Sequence, residues 1–157
     1  MKLTSPLLFF ASLSQTVSGF LLTSSHPKLS DHGFARIDYG NENVYPSFYK
    51  TGSYLSLTLD VTGKASSTSD LGNLLLKKVN NGNGGIWLVT TTMTSTPTAK
   101  DIQRPFSIRT GSFVYRGDGG GIWSVCGDEG TYQLYFSKKA ISTTGCYSDV
   151  VLTVARF

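Results

Sequence analysis

His26 and His32 are the chain's two histidines, and with Asp31 they could ligate a metal ion. Two histidines six residues apart match no strong metal-ligand spacing. If a leader were removed after Ser25, the new amine of His26 and its imidazole could chelate copper, with His32 as a further ligand. A Ser–His–acid triad would draw its base from the same stretch, a poor rigid platform for catalysis. Two glutamates, Glu42 and Glu129, and eight aspartates are available for a glycosidase pair, and nothing in the spacing brings two of them together. The glycine runs "GNGG" and "GDGGG" lack the Lys-Ser/Thr that completes a phosphate loop. The residues therefore predict a protein that is not an enzyme, with no catalytic residue, no metal and no cofactor.

Binding chemistry rests on the aromatics. Trp87 and Trp123 could stack on sugar rings, but each is followed two residues later by valine, Val89 and Val125. In a strand that spacing puts Trp and Val on one inward face. Tyr115, Tyr132 and Tyr135 are less committed, because a phenol tolerates a wet edge; they are the candidate glycan contacts. Arg116-Gly117-Asp118 matches an adhesion triplet, and its place between "SFVY" and "GIW" predicts a simple turn.

These side chains need a scaffold, and the N-terminus indicates where it folds. Lys2, the apolar residues 7–13 and the small residues Val17-Ser18-Gly19 read as a secretory leader, too short in its apolar part to span a membrane. Cleavage after Gly19 divides the chain into a signal peptide, 1–19, and one domain, 20–157. The expected location is secreted, extracellular or in a cell wall. Two cysteines, Cys126 and Cys146, then imply one disulfide, with a free thiol nucleophile as the alternative. Such a bridge closes a loop of about 20 residues and is worth roughly 3 kcal/mol in the chain-entropy model.

Charged residues make up 15% of the chain, which is low for a soluble protein, and the formal net charge is +4. The basic residues are scattered singly or in pairs, unlike the stripe of a nucleic-acid reader, so no nucleic-acid partner is expected. Alternating segments such as "YLSLTLDV" (54–61) and "YQLYF" (132–136) predict half-buried strands. Gly, Asn, Asp and Ser clusters punctuate them at the intervals of an all-β sandwich or barrel. "PSFYKTGSY" and "PFSIRTGSF", 59 residues apart, each predict a hairpin. "GGIW" recurs at an offset of 36, so the repeats share no single period. They fit recurrent hairpin chemistry or a degraded pseudo-repeat. The Thr-rich stretch 90–100 reads as a loop open to O-glycosylation or as a strand end.

The order "PFSIRTGSFVYRG", "IWSVC", "YQLYF", "GCYSDVVLTV" resembles the end of fungal secreted cell-wall proteins of the PhiA type. "FARIDYGNENVYPSFY" and "VNNGNGGIWLV" are similar to that family's opening strands and its central glycine-rich stretch. The resemblance implies a secreted, wall-associated, non-enzymatic β domain, with Cys126 and Cys146 as the positions that carry over. That family often has further cysteines in its N-terminal half, and its usual Ala-Cys-Pro is Val125-Cys126-Gly127 here.

The fold expected is a single antiparallel all-β domain, a Greek-key-like sandwich with a β-trefoil as the alternative. The function expected is a non-catalytic protein of the fungal cell wall or matrix, with cell-wall polysaccharide or a wall protein as partner. The alternative function is a small secreted effector that binds a host protein or glycan. The oligomeric state is not set by the sequence.

Overall fold

The computed structural model describes residues 16–38, 44–50, 53–68, 71–79, 85–92, 96–128 and 130–156. The charged and apolar parts of the expected leader, Glu42, Glu129, residues 81–84 and the middle of the Thr-rich stretch lie outside the described residues.

Among the described residues the chain is all-β and antiparallel, with fourteen strands in one continuous hydrogen-bonded network. The first third holds β1 (Val17–Ser24), β2 (Gly33–Asp38), β3 (Val44–Tyr49), β4 (Ser53–Tyr54) and β5 (Leu57–Leu59). The second holds β6 (Ala65–Ser67), β7 (Leu74–Lys78), β8 (Ile86–Thr91) and β9 (Phe106–Arg109). The last holds β10 (Ser112–Tyr115), β11 (Ile122–Asp128), β12 (Thr131–Ser137), β13 (Cys146–Val150) and β14 (Leu152–Arg156).

Pairing recurs from third to third. β2 lies between β3 and β4, β11 lies between β12 and β13, and β7 lies between β8 and an isolated bridge at Ile102. Around these hairpins runs a ring of strands: β6 on β5, β5 on β1, β1 on β14, β14 on β10, and β10 on β9. The ladder is open between β6 and β9, where one bond, Phe106 N–H to Gly63 O at 2.7 Å, crosses the gap. The single antiparallel sheet bears out the expected all-β class, and its pairing pattern recurs three times along the described chain.

Hydrophobic alternation places the core. Leu57 and Leu59 turn inward with Thr58 between them, as a period of two requires. In β12, Leu134 and Phe136 are buried while Gln133 and Tyr135 occupy the other face. Phe136 sits opposite Trp123 of β11 on one side and opposite Trp87 of β8 on the other. The ring centroids are 5.4 and 6.0 Å apart, inside the range of favourable aromatic pairs. Both "GGIW" copies therefore deliver an indole to the same phenylalanine. Trp123 and Val125 are buried together, and its indole N–H donates to Phe113 O at 2.9 Å. Trp87 is half-buried against the core. Gly121 is needed for this approach: a Cβ there would lie 2.5 Å from Phe136 Cζ and 2.6 Å from Ser137 O.

One hairpin forms as expected and one does not. "PFSIRTGSF" is the β9–β10 hairpin, turning through Thr110 and Gly111, both at positive φ as a type I′ turn requires. "PSFYKTGSY" covers β3 and β4, which do not pair with each other. Ala35 of β2 pairs with both Ser47 and Tyr54, so β2 separates them. The Arg116 triplet forms a 3-10 turn at Gly117–Gly119.

β1 starts before the expected leader boundary, and Val17 pairs with Leu59. A cut after Gly19 removes that pair and keeps the whole ladder from Phe20 to Ser24 against β14. Among the described residues, no helix is long and apolar enough to cross a membrane.

Phe136, 2% exposed, fills the space between two indoles. Phe136→Ala should cost about 3–5 kcal/mol in urea unfolding followed by tryptophan fluorescence. Val151→Ala, at an exposed position, should change stability by under about 0.5 kcal/mol. Equal effects would contradict the packing.

Candidate functional site

A short 3-10 turn at Pro27–Leu29 has His26 at its start, and His32 follows three residues after its end. Pro27 supplies the fixed φ of its first position, and Leu29 buries completely beneath it. His26 caps the turn: its Nδ1 accepts the Lys28 N–H at 3.2 Å, and its own N–H donates to Ser24 Oγ at 3.1 Å. So held, the imidazole stacks on Tyr147, with centroids 4.2 Å apart and planes 27° from parallel. The Lys28 ammonium stands over the same phenol ring at 5.6 Å, within cation–π range.

Tyr147 belongs to β13, next to Cys146. Cys126 and Cys146 face each other across β11 and β13 and form the disulfide, with Cα atoms 4.0 Å apart. With both cysteines bonded, no thiol is left as a nucleophile. The bridge ties the strand that bears Tyr147 to β11, whose Trp123 packs on Phe136.

Tyr132 completes the array, 6.0 Å from Tyr147. It lies on the same face of β12 as Leu134 and Phe136 but at the strand's edge, opposite Phe48. The His32 ring meets it edge-on at 5.8 Å and 70°. His32 is 4% exposed, and its Nδ1 lies 2.8 Å from Asp31 Oδ1. An ionised carboxylate only accepts hydrogen bonds, so this nitrogen carries the proton. In the neutral ring Nε2 is then an unprotonated acceptor, buried and without a hydrogen-bond partner among the described residues. Lys50 Nζ stands 3.5 Å from Asp31 Oδ2. Desolvation works against the charge on Asp31, but the His32 hydrogen bond, a backbone bond and the Lys50 charge outweigh it. The carboxyl titrates below its ordinary value.

The structure places the three candidate tyrosines in three surroundings. Tyr132 is in this array. Tyr115, 8% exposed, sits edge-on against Phe136 at 5.0 Å in the core. Tyr135 is half-buried on the opposite face of β12, where its hydroxyl donates to Gln133 Oε1 at 3.0 Å and burial raises its pKa. Tyr147 was not among the sequence candidates; its signal is its place immediately after a bonded cysteine. Each histidine meets a phenol ring, His26 on Tyr147 and His32 on Tyr132. Among the described residues, no three His, Cys, Asp or Glu side chains form a group that could hold an ion.

No protein-family model, no curated protein and no solved structure matches the chain.

A carboxyl whose pKa is lowered on folding contributes stability above its unfolded pKa and loses it as pH falls through the folded value. The melting-temperature difference between the parent and Asp31→Asn should therefore be present above pH 3.8 and shrink as pH falls below it. A difference constant down to pH 2, read by differential scanning calorimetry, would contradict this account of Asp31 (about 2 being the low end for hydrogen-bonded carboxylates).

Proposed function

We propose that the protein is a non-catalytic secreted domain that associates with cell-wall polysaccharide through the face formed by His26, Tyr147 and Tyr132. One observation carries the reading: three half-buried rings touch in sequence at one surface, with the Lys28 ammonium over one of them. Rings of this kind offer apolar faces to sugar C–H groups and polar tips to sugar hydroxyls. The nearby cation suits polysaccharides that carry acidic groups. A structural disulfide fits an oxidising compartment, and the leader and the PhiA-type resemblance support the same setting.

The mature protein should be retained on isolated fungal walls and released by salt or detergent. Tyr147→Ala should weaken retention about tenfold, as loss of a central aromatic anchor does. Tyr135→Ala, on the far face of β12, should leave retention unchanged. Failure of the parent to bind walls, or undiminished binding by Tyr147→Ala, would overturn the reading.

A further inference from the structure

A second concavity lies where the strand ladder is open, at the Gly63–Phe106 hydrogen bond. Its volume is about 420 Å³, within the range of small-molecule sites, whereas two other described cavities hold about 190 and 230 Å³. One side is apolar, from Leu59, Pro105 and Ile108. Ser107 and Arg116 also line it. Neither the Ser107 hydroxyl nor the Arg116 guanidinium has an intramolecular partner among the described residues. The Arg116 backbone is fixed, since its N–H donates to Pro105 O at 2.9 Å.

The acid on the wall does not use this cation. Asp60 Oδ1 accepts from Thr62 N–H at 2.9 Å, Thr62 Oγ1 at 2.7 Å and Lys64 N–H at 3.0 Å. The Thr62 hydroxyl and the Lys64 and Thr62 amides hold Asp60 below its ordinary pKa. That carboxylate locks its own turn, which is further closed by Gly63 N–H to Asp60 O and Asp60 N–H to Lys64 O, both at 3.0 Å. The result is a firm wall with an apolar side, and the Arg116 guanidinium and Ser107 hydroxyl have no partner among the described residues.

We propose that this cleft binds a compact hydroxylated carboxylate, the chemistry shared by uronic acids and free hydroxy acids. The Arg116 fork takes the carboxylate, for which its geometry is suited. Ser107 takes a ligand hydroxyl, and Pro105 and Ile108 cover the ligand's apolar side. The site shares no residue with the His26–Tyr147–Tyr132 face and stands or falls independently of the function proposed for it.

A cut after Gly19 would remove Val17 from the wall and keep the residues used here, so the protein beginning at Phe20 is the form to test. Backbone amide NMR titrations with galacturonate, trigalacturonate, citrate and neutral galactose form the experiment. Saturable shifts at Thr62, Ser107 and Arg116 are expected with the carboxylates and not with galactose. Preference for trigalacturonate would assign the ligand to a polymer, and preference for citrate to a free acid. Arg116→Gln should weaken binding roughly 10- to 100-fold at unchanged melting temperature. Arg116→Lys should recover part of the loss, and Tyr147→Ala should have no effect. Absence of saturation with every carboxylate, equal binding of galactose, or full affinity in Arg116→Gln would overturn the proposal.

Discussion

Phe136 has an indole on either side, and the positions of both strand partners follow from that. Trp87 and Trp123 reach it from β8 and β11, and Tyr115 closes a third direction at 5.0 Å. From there the aromatic contacts continue through Phe113 to Phe106 and Phe20. Burying a large ring contributes about 1.5–3 kcal/mol, and aromatic pairs add roughly 0.5–1.5 kcal/mol beyond area. Gly121 and the satisfied Trp123 indole N–H let this row form without a clash or an orphaned donor.

The same row sets the surface site. Tyr132 is four residues before Phe136 in one strand, so both lie on one face. A slip of one residue in β12 would turn Phe136 outward and remove Tyr132 from His32 and Tyr147 together. The disulfide fixes the other half of the site by pinning β13, which carries Tyr147, against β11. Core packing and a single covalent bond thus converge on the position of two phenols. The Asp31–His32 pair and the capped turn bring the histidines to meet them.

The sequence showed the strands more clearly than their partners. Period-two alternation in "YLSLTLDV" and "YQLYF" reports which side chains point inward, and the structure has them so. Two cysteines in a chain with a leader-like N-terminus gave the bridge. The turn at Thr110-Gly111 was legible because its conformation depends on two adjacent residues. Pairing of β4 was not, since it depends on which edge of β2 is vacant after β3 has docked. The threefold arrangement was hidden for a related reason. "PSFYKTGSY" and "PFSIRTGSF" occupy different places in their thirds, and so do the two "GGIW" copies, so their offsets report local turn chemistry. Of the site, Tyr132 was visible as an uncommitted phenol. Its neighbours were not, because His32 lies 100 positions before it and His26 meets Tyr147 across 121.

Native-state hydrogen exchange tests the central role of the Phe136 row most directly. The account predicts that amides of residues 134–137 in β12 exchange only through global unfolding, with the same free energy as urea denaturation and the highest protection in the chain. Exchange of these amides through a cheaper, local opening, while the β1–β14 ladder stays protected, would contradict it.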